Sequence, residues 1–247
     1  SKLTHCELNS ELSEITAYNY EQLGIDNTCF FQGDGIAFLK NNEEHYDWIY
    51  IDPSRRNEHK GKVFLLKDCL PNVPENIDVL FSKTKNILLK NSPILDITST
   101  IKELNFVKQI HVIAVQNEVK ELLFILEKGN TEAIKIHTVN FQKNSVQSFN
   151  FKYQSTNVST YSEPLNYLYE PNAAILKSGG FHDVSQQLSV KKLHQHSHLY
   201  THENKIDFPG RTFKIQQIVP YNKKNIQKAL QENKANITTR NFPETVV

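Results

Sequence analysis

The sequence predicts an α/β fold, an open and largely parallel sheet wound with helices, followed by a smaller α+β module. Three observations predict it. Short β-branched and apolar runs alternate with helically spaced runs through the first third of the chain, the pattern of a parallel sheet with helices on its faces. The stretch Asp47-Trp48-Ile49-Tyr50-Ile51-Asp52-Pro53-Ser54-Arg55-Arg56 then sets an apolar strand directly before a carboxylate, a stiff proline turn and two arginines. Chemistry in open α/β sheets gathers just beyond such carboxyl ends. Finally, residues 142–162 shift to Ser, Asn, Gln and Thr, which divides the chain.

The elements follow in order. Residues 3–8 read as the end of a buried strand, with Glu7 near its carboxyl end. Asn9 or Ser10 caps a helix over 10–23, whose apolar positions Leu12, Ile15, Ala17 or Tyr18, and Leu23 fall at nearly helical spacing. Gly24 ends it. Residues 28–32 form a second strand closing on Gly33-Asp34-Gly35, residues 36–41 a short helix, and residues 48–51 a buried third strand. Residues 57–73, with Gly61 and Pro71, are a loop and a short helical piece; 77–85 is a helix; 86–90 is a strand broken by Ser92-Pro93. Residues 94–104 return a helical pattern weakened at 98–100, and 109–115 is a strongly β-branched strand. Strands over 122–127 and 133–141, turned by Gly129-Asn130, predict an antiparallel hairpin at the sheet edge. Some strand remains at 148–153. Beyond it lie a helix over 172–177, Gly179-Gly180, a second helix, and strands at 199–201 and 212–219. A helix over 222–231 is capped by Asn222 and turns Ile226, Ala229 and Leu230 inward, and a strand starts over 235–240. The boundaries are therefore expected at 1–141, a linking region 142–164, and an incomplete module 165–247.

Composition narrows the class. Hydrophobic residues at 38% and charged residues at 22% describe a soluble globular chain rather than a disordered one. Cys6, Cys29 and Cys69 are odd in number and widely spaced, which argues against a disulfide framework and for a reducing, cytoplasmic setting. No apolar run reaches membrane-spanning length, so no membrane partner is expected. The chain has no Met and opens at Ser1 inside a strand-like stretch, which reads as a piece of a longer polypeptide. The net charge of +1 hides an asymmetry. From residue 142 onward, 13 Lys and Arg face 7 Asp and Glu, giving +6; the first 141 residues hold 15 against 20, giving −5. A basic C-terminal half is compatible with contact to phosphates and equally with an ordinary solvated surface.

Glu7, Asp34 and Asp52 follow three successive strands. An acid at one strand end accepts both hydroxyls of a ribose, an acid at the next can take the exocyclic amine of adenine, and a third faces the reacting group. Each alone also reads as a strand-end or helix-capping acid; the ordered series is what favours a nucleoside ligand. Arg55 and Arg56 offer bidentate donors to phosphate or carboxylate, or pair with a nearby acid. His194, His196 and His198 alternate, but nothing at a telling spacing completes a metal site and none is expected. Tyr167, Tyr169 and Phe208 suit base stacking, and core packing better.

Taken together, several blocks resemble the class I S-adenosylmethionine-dependent methyltransferases, in particular a bacterial group with a ferredoxin-like/THUMP-like C-terminal region. They are Thr4-His5-Cys6-Glu7-Leu8-Asn9, Gln32-Gly33-Asp34-Gly35, the Asp47–Arg56 stretch, residues 90–97, residues 167–179, His198-Leu199-Tyr200-Thr201 and Phe208-Pro209-Gly210-Arg211. The resemblance implies S-adenosylmethionine as cofactor, with Glu7 on its ribose, Asp34 by its adenine, and Gly35 admitting the close approach. It implies Asp52, Pro53 and Ser54 in the methyl-transfer site, Arg55 and Arg56 toward substrate, and RNA as partner. The glycine-rich loop that would cradle the methionine end has no match in residues 1–247; its strand and loop would lie before Ser1, so the sheet is expected to be partial and the piece inactive by itself. A non-catalytic nucleic-acid binder on the same fold is the competing reading, and a dehydrogenase a weaker one.

Overall fold

A computed structural model describes residues 2–54, 56–57, 61–62, 65–230 and 236–240. The chain forms two compact units: Ser1–Lys108 with Leu123–Glu132, and Gln109–Leu122 with Ala133–Val247.

In the first unit, β1 (Leu3–Glu7) leads to α1 (Ser10–Gln22), β2 (Thr28–Gln32), α2 (Gly35–Asn41) and β3 (Ile49–Ile51). β1 and β2 run parallel, Leu3 beside Thr28 through Glu7 beside Gln32. Asn9 caps α1, its side chain accepting from the Leu12 N–H at 3.0 Å, and Gly24 takes φ +69° after its end. The apolar positions at helical spacing do not form a buried face: Leu12, Ile15, Tyr18 and Leu23 are all exposed, and Ser13 is the buried residue of α1. Spacing reports which side of a helix is apolar and not what lies against it. The same correction applies to β3. Ile51 is buried, whereas Trp48 is 52% and Tyr50 57% exposed. Pairing with β6 places Ile51 beside Leu89 on the covered face and turns Tyr50 the other way.

The short strands β4 (Arg56–Asn57) and β5 (Gly61–Lys62) pair antiparallel, and a 3₁₀ turn follows at Leu66–Asp68. Then come α3 (Ile77–Lys83), β6 (Asn86–Asn91) and α4 (Ile97–Glu103). β6 alternates half-buried and buried residues, and its Ile87 and Leu89 join Leu66, Cys69, Val73, Leu80, Phe81 and Ile97 in the core. Thr100 closes a turn of α4 through its hydroxyl to the Asp96 carbonyl, which tolerates the β-branched positions seen in the sequence.

β7 (Val107–Val115) and β8 (Glu118–Glu127) form a hairpin whose turn sits at Gln116 and Asn117, with φ of 49° and 65°. Two consecutive positive φ values match the twist of flanking strands, and Asn tolerates them well. This corrects the predicted hairpin at Gly129-Asn130. A turn is present there, with Gly129 at φ +80°, but β9 (Lys135–Phe141) lies parallel to β7, not antiparallel to β8. β7 has β8 on one edge and β9 on the other. β10 (Val146–Lys152) completes this sheet, antiparallel to β9.

The rest of the second unit is a four-stranded antiparallel sheet in the order β12-β13-β11-β14. Here β11 is Tyr167–Pro171, β12 Lys191–Lys192, β13 Tyr200–His202 and β14 Gly210–Lys214. α5 (Ala173–Ser178) and α6 (Phe181–Gln187) pack beside it, and Phe149, Tyr169, Ile175, Val184, Val190, Tyr200 and Phe208 form its core. At Gly210 a Cβ would stand 2.1 Å from the Glu170 carbonyl oxygen, so the β11–β14 approach requires glycine. The C-terminal helix α7 (Lys223–Ala229) is capped by Asn222 as read from the sequence, but it holds no buried residue, so Ile226, Ala229 and Leu230 do not anchor it. Residues 236–240 carry no strand, and Ala235 lies outside the described residues. No helix among the described residues is long and apolar enough to cross a membrane.

Candidate functional site

The predicted acids lie in the first unit, each just past a parallel strand. Glu7 ends β1, and its main-chain oxygen accepts the Gly33 N–H at 2.8 Å, which brings the Gly33-Asp34-Gly35 loop of β2 against it. The Glu7 carboxylate turns onto its own chain, Oε1 accepting from the Asn9 N–H at 2.8 Å. Asp34 caps α2: Oδ1 accepts from the Ile36 and Ala37 N–H groups at 2.7 and 2.9 Å. Each carboxylate therefore spends one oxygen on local backbone. Glu7 Oε2 and Asp34 Oδ2 make no hydrogen bond among the described residues. Gly35 admits a close approach of protein, since a Cβ there would lie 3.4 Å from the Cys6 Cβ. Burial, and then the charge of Asp34, push the Cys6 thiol up, so it stays protonated at neutral pH.

Asp52 follows β3 and is taken by a partner that sequence reasoning missed. Lys90 Nζ stands 2.7 Å from its Oδ2. The register explains the pair: Ile51 lies beside Leu89, so the next residue of each strand projects together on the opposite face. Pro53 is buried. Ser54 is fastened through its backbone, donating to the Leu70 carbonyl at 2.7 Å and accepting the Leu70 N–H at 3.0 Å. Arg55 lies outside the described residues, and Arg56 enters through its backbone, paired with Lys62.

Asn91, the last residue of β6, was also missed. It is 3% exposed, and neither its amide nitrogen nor its oxygen has a hydrogen-bond partner among the described residues. An unsatisfied buried amide costs about 1–3 kcal/mol. The signal available in sequence was Lys90-Asn91 closing the apolar run of a strand. Among the described residues no group of three candidate metal ligands occurs. His198 stacks on Phe181 at 3.6 Å instead. Tyr169 and Phe208 are core residues with centroids 4.9 Å apart, which leaves no room for a stacked base.

Comparison with known proteins adds three findings. Residues 167–209 match a family of ferredoxin-like domains, and residues 210–247 match a THUMP domain-like family. A solved protein of Porphyromonas gingivalis W83, provisionally described as a methyltransferase, superposes with a TM-score of 0.85 at 32% identity, over 98% of this chain. The chain shares that protein's fold. Its ferredoxin-like and THUMP-like regions are those the resemblance implied for the C-terminal module. The chain spans 62% of the length of that solved relative. Among curated proteins none matches.

Proposed function

We propose that this chain carries the adenosine-binding and acceptor-facing parts of an S-adenosylmethionine-dependent methyltransferase acting on RNA. The observation that carries the reading is the pairing of Glu7 and Asp34 at the ends of adjacent parallel strands, each with one carboxylate oxygen to spare. The donor chemistry fits the cofactor's adenosine half. Glu7 would accept the ribose hydroxyls and Asp34 an adenine amine, two acceptors for groups that are all donors. When bound, S-adenosylmethionine supplies a methyl group on a sulfonium. Asp52 would hold or accept the acceptor's proton, with Lys90 fixing its carboxylate, and Pro53 and Ser54 keep that loop rigid. RNA is favoured by the THUMP-like region and by the +6 charge beyond residue 141. Arg55 and Arg56 would meet its phosphates.

A second reading is favoured by the same ion pair. An Asp52 occupied by Lys90 suits a non-catalytic RNA binder that keeps the fold. Labelled methyl transfer from S-adenosylmethionine to total RNA separates the two, using a polypeptide that includes the glycine-rich loop. Arg55→Ala with Arg56→Ala weakens RNA binding in both readings; loss of transfer in Asp52→Ala occurs in the first alone. Residues 1–247 by themselves, without that loop, are expected to bind the cofactor weakly, and tight binding in calorimetry would remove the assignment of Glu7 and Asp34 to its adenosine end.

A further inference from the structure

Two helices of the chain carry unpaired charge of opposite sign. α1 holds Glu11, Glu14 and Glu21 and no Lys or Arg, and all three acids are exposed. α7 holds Lys223, Lys224 and Lys228 and no Asp or Glu, and all three lysines are exposed as well. None of the six has a hydrogen bond or ion pair among the described residues. Within each helix the like charges are neighbours, Glu11 with Glu14 at i, i+3 and Lys224 with Lys228 at i, i+4. Such pairs destabilise a helix until an opposite charge stands beside them.

Both helices also leave apolar surface in water. α1 turns Ser13 and Tyr20 inward, Tyr20 meeting the Phe30 ring of β2 edge-on at 5.5 Å. Its outer face therefore keeps Leu12, Ile15 and Tyr18, at 51%, 47% and 61% exposed, beside the three acids. α7 buries no residue, and Ile218 just ahead of it is 65% exposed. Apolar patches rimmed by charge mark protein interfaces. The charges decide which helix meets which. Two copies paired α1 against α1 would set acids on acids, and α7 against α7 would set lysines on lysines; like charges brought together reject both pairings. α1 against α7 joins opposite signs and covers apolar side chains on both. The exposures hold with the whole chain present, so the α7 that fits α1 is that of another copy.

We propose that α1 of one copy docks on α7 of a second copy of this chain. The lysine stems of α7 lie along Leu12, Ile15 and Tyr18, while their ammonium groups reach Glu11, Glu14 and Glu21. Exposed charges set the partner and the rate of encounter more than the affinity, so the association is expected in the micromolar range and falls with salt. α1 starts at Ser10, three residues after Glu7, and α7 belongs to the THUMP-like region. The contact thus brings the THUMP-like region of one copy to the helix that leaves Glu7 in the other. The proposal does not rest on methyl transfer.

The test is sedimentation velocity of the 247-residue chain over a range of concentrations, before and after nuclease treatment and without methyl donor. Wild type is expected to self-associate in both. Raising the ionic strength from about 0.05 M to about 0.5 M is expected to weaken that association at least about tenfold. Glu11→Lys with Glu14→Lys and Glu21→Lys makes α1 basic like α7. Lys223→Glu with Lys224→Glu and Lys228→Glu makes α7 acidic like α1. Each triple variant is expected to be monomeric alone. Mixed in equal amounts the two are expected to associate again, because each supplies the charge that the other has reversed. Thermal melting of each variant checks the fold. Tyr18→Lys, at an exposed position, is expected to weaken wild-type association at least about tenfold, and it decides the α1 face if a triple variant fails to fold. Wild-type association in either triple variant overturns the proposal, as does a mixture of the two that stays monomeric. A wild type that is monomeric after nuclease treatment also overturns it, RNA being the bridge if association was seen before. Since no methyl donor is present, failure here leaves the methyltransferase reading standing, and an inactive methyltransferase leaves this one standing.

Discussion

Lys90 Nζ stands 2.7 Å from Asp52 Oδ2, joining the ends of the two parallel strands that frame the candidate acceptor site. Both groups are partly solvated, so the pair adds at most about 1 kcal/mol to stability. Its importance is positional. In a polypeptide competent for methyl transfer, Asp52→Ala is expected to cut turnover by one to several orders of magnitude with cofactor affinity nearly unchanged. Lys90→Met should lower turnover less and leave the melting temperature in place. Full turnover in Asp52→Ala would reduce this stretch to a strand end.

Glu7→Ala is expected to weaken cofactor binding by about 1–3 kcal/mol, the cost of removing hydrogen bonds to a charged group. Stability should fall by no more than about 1 kcal/mol, for the lost bond from the Asn9 N–H. Calorimetry and thermal melting measure the two. An unfolded variant would make Glu7 a structural acid.

Glu170 is buried in β11 between the guanidinium groups of Arg211 and Arg240, with Arg211 Nε at 2.7 Å. Arg211 and Arg240 are themselves largely solvated, so removing the charge of Glu170 loses charge-assisted hydrogen bonds without stranding a buried cation. Glu170→Gln is therefore expected to destabilise the protein by about 1–3 kcal/mol in urea denaturation. Arg240→Ala should cost less, because Arg211 still neutralises the carboxylate. A neutral Glu170→Gln would show that the network is dispensable.

Burial and the neighbouring His137 hold the His111 ring below its ordinary pKa of 6.5. A base depressed in the folded state binds protons more readily when unfolded, so it costs stability as pH falls. The loss begins near the unfolded value of 6.5 and is complete below the depressed folded one. The melting temperature is expected to fall from about pH 7 to about pH 5 and to fall less in His111→Gln. An identical pH profile in that variant would assign the loss to another group, His198 being the next, since burial lowers it as well.

The legible features were local ones. Asn9 and Asn222 each precede a helix and each cap it, because capping depends on a side chain reaching a backbone N–H two or three residues on. The strands over 28–32, 86–90 and 109–115 were legible from β-branched and apolar runs. Glu7, Asp34 and Asp52 were legible as strand-end acids. Their partners were not, since Lys90 is 38 positions beyond Asp52 and only the register of β3 on β6 unites them.

The sequence by itself determined the α/β order, the caps, the acids at strand ends and the resemblance that placed a THUMP-like region last, all of which follow from neighbours along the chain. Tertiary structure alone decided that β9 lies parallel to β7 and not antiparallel to β8, that Lys135 faces Lys152, and that Asn91 is buried with no hydrogen-bond partner among the described residues. The physical reason is that strand pairing and burial depend on which edges and faces other elements have already taken. Hydrophobic period reports that a face is apolar; only packing decides whether, as at Ile51, it is covered or, as at Leu12, it stays in water.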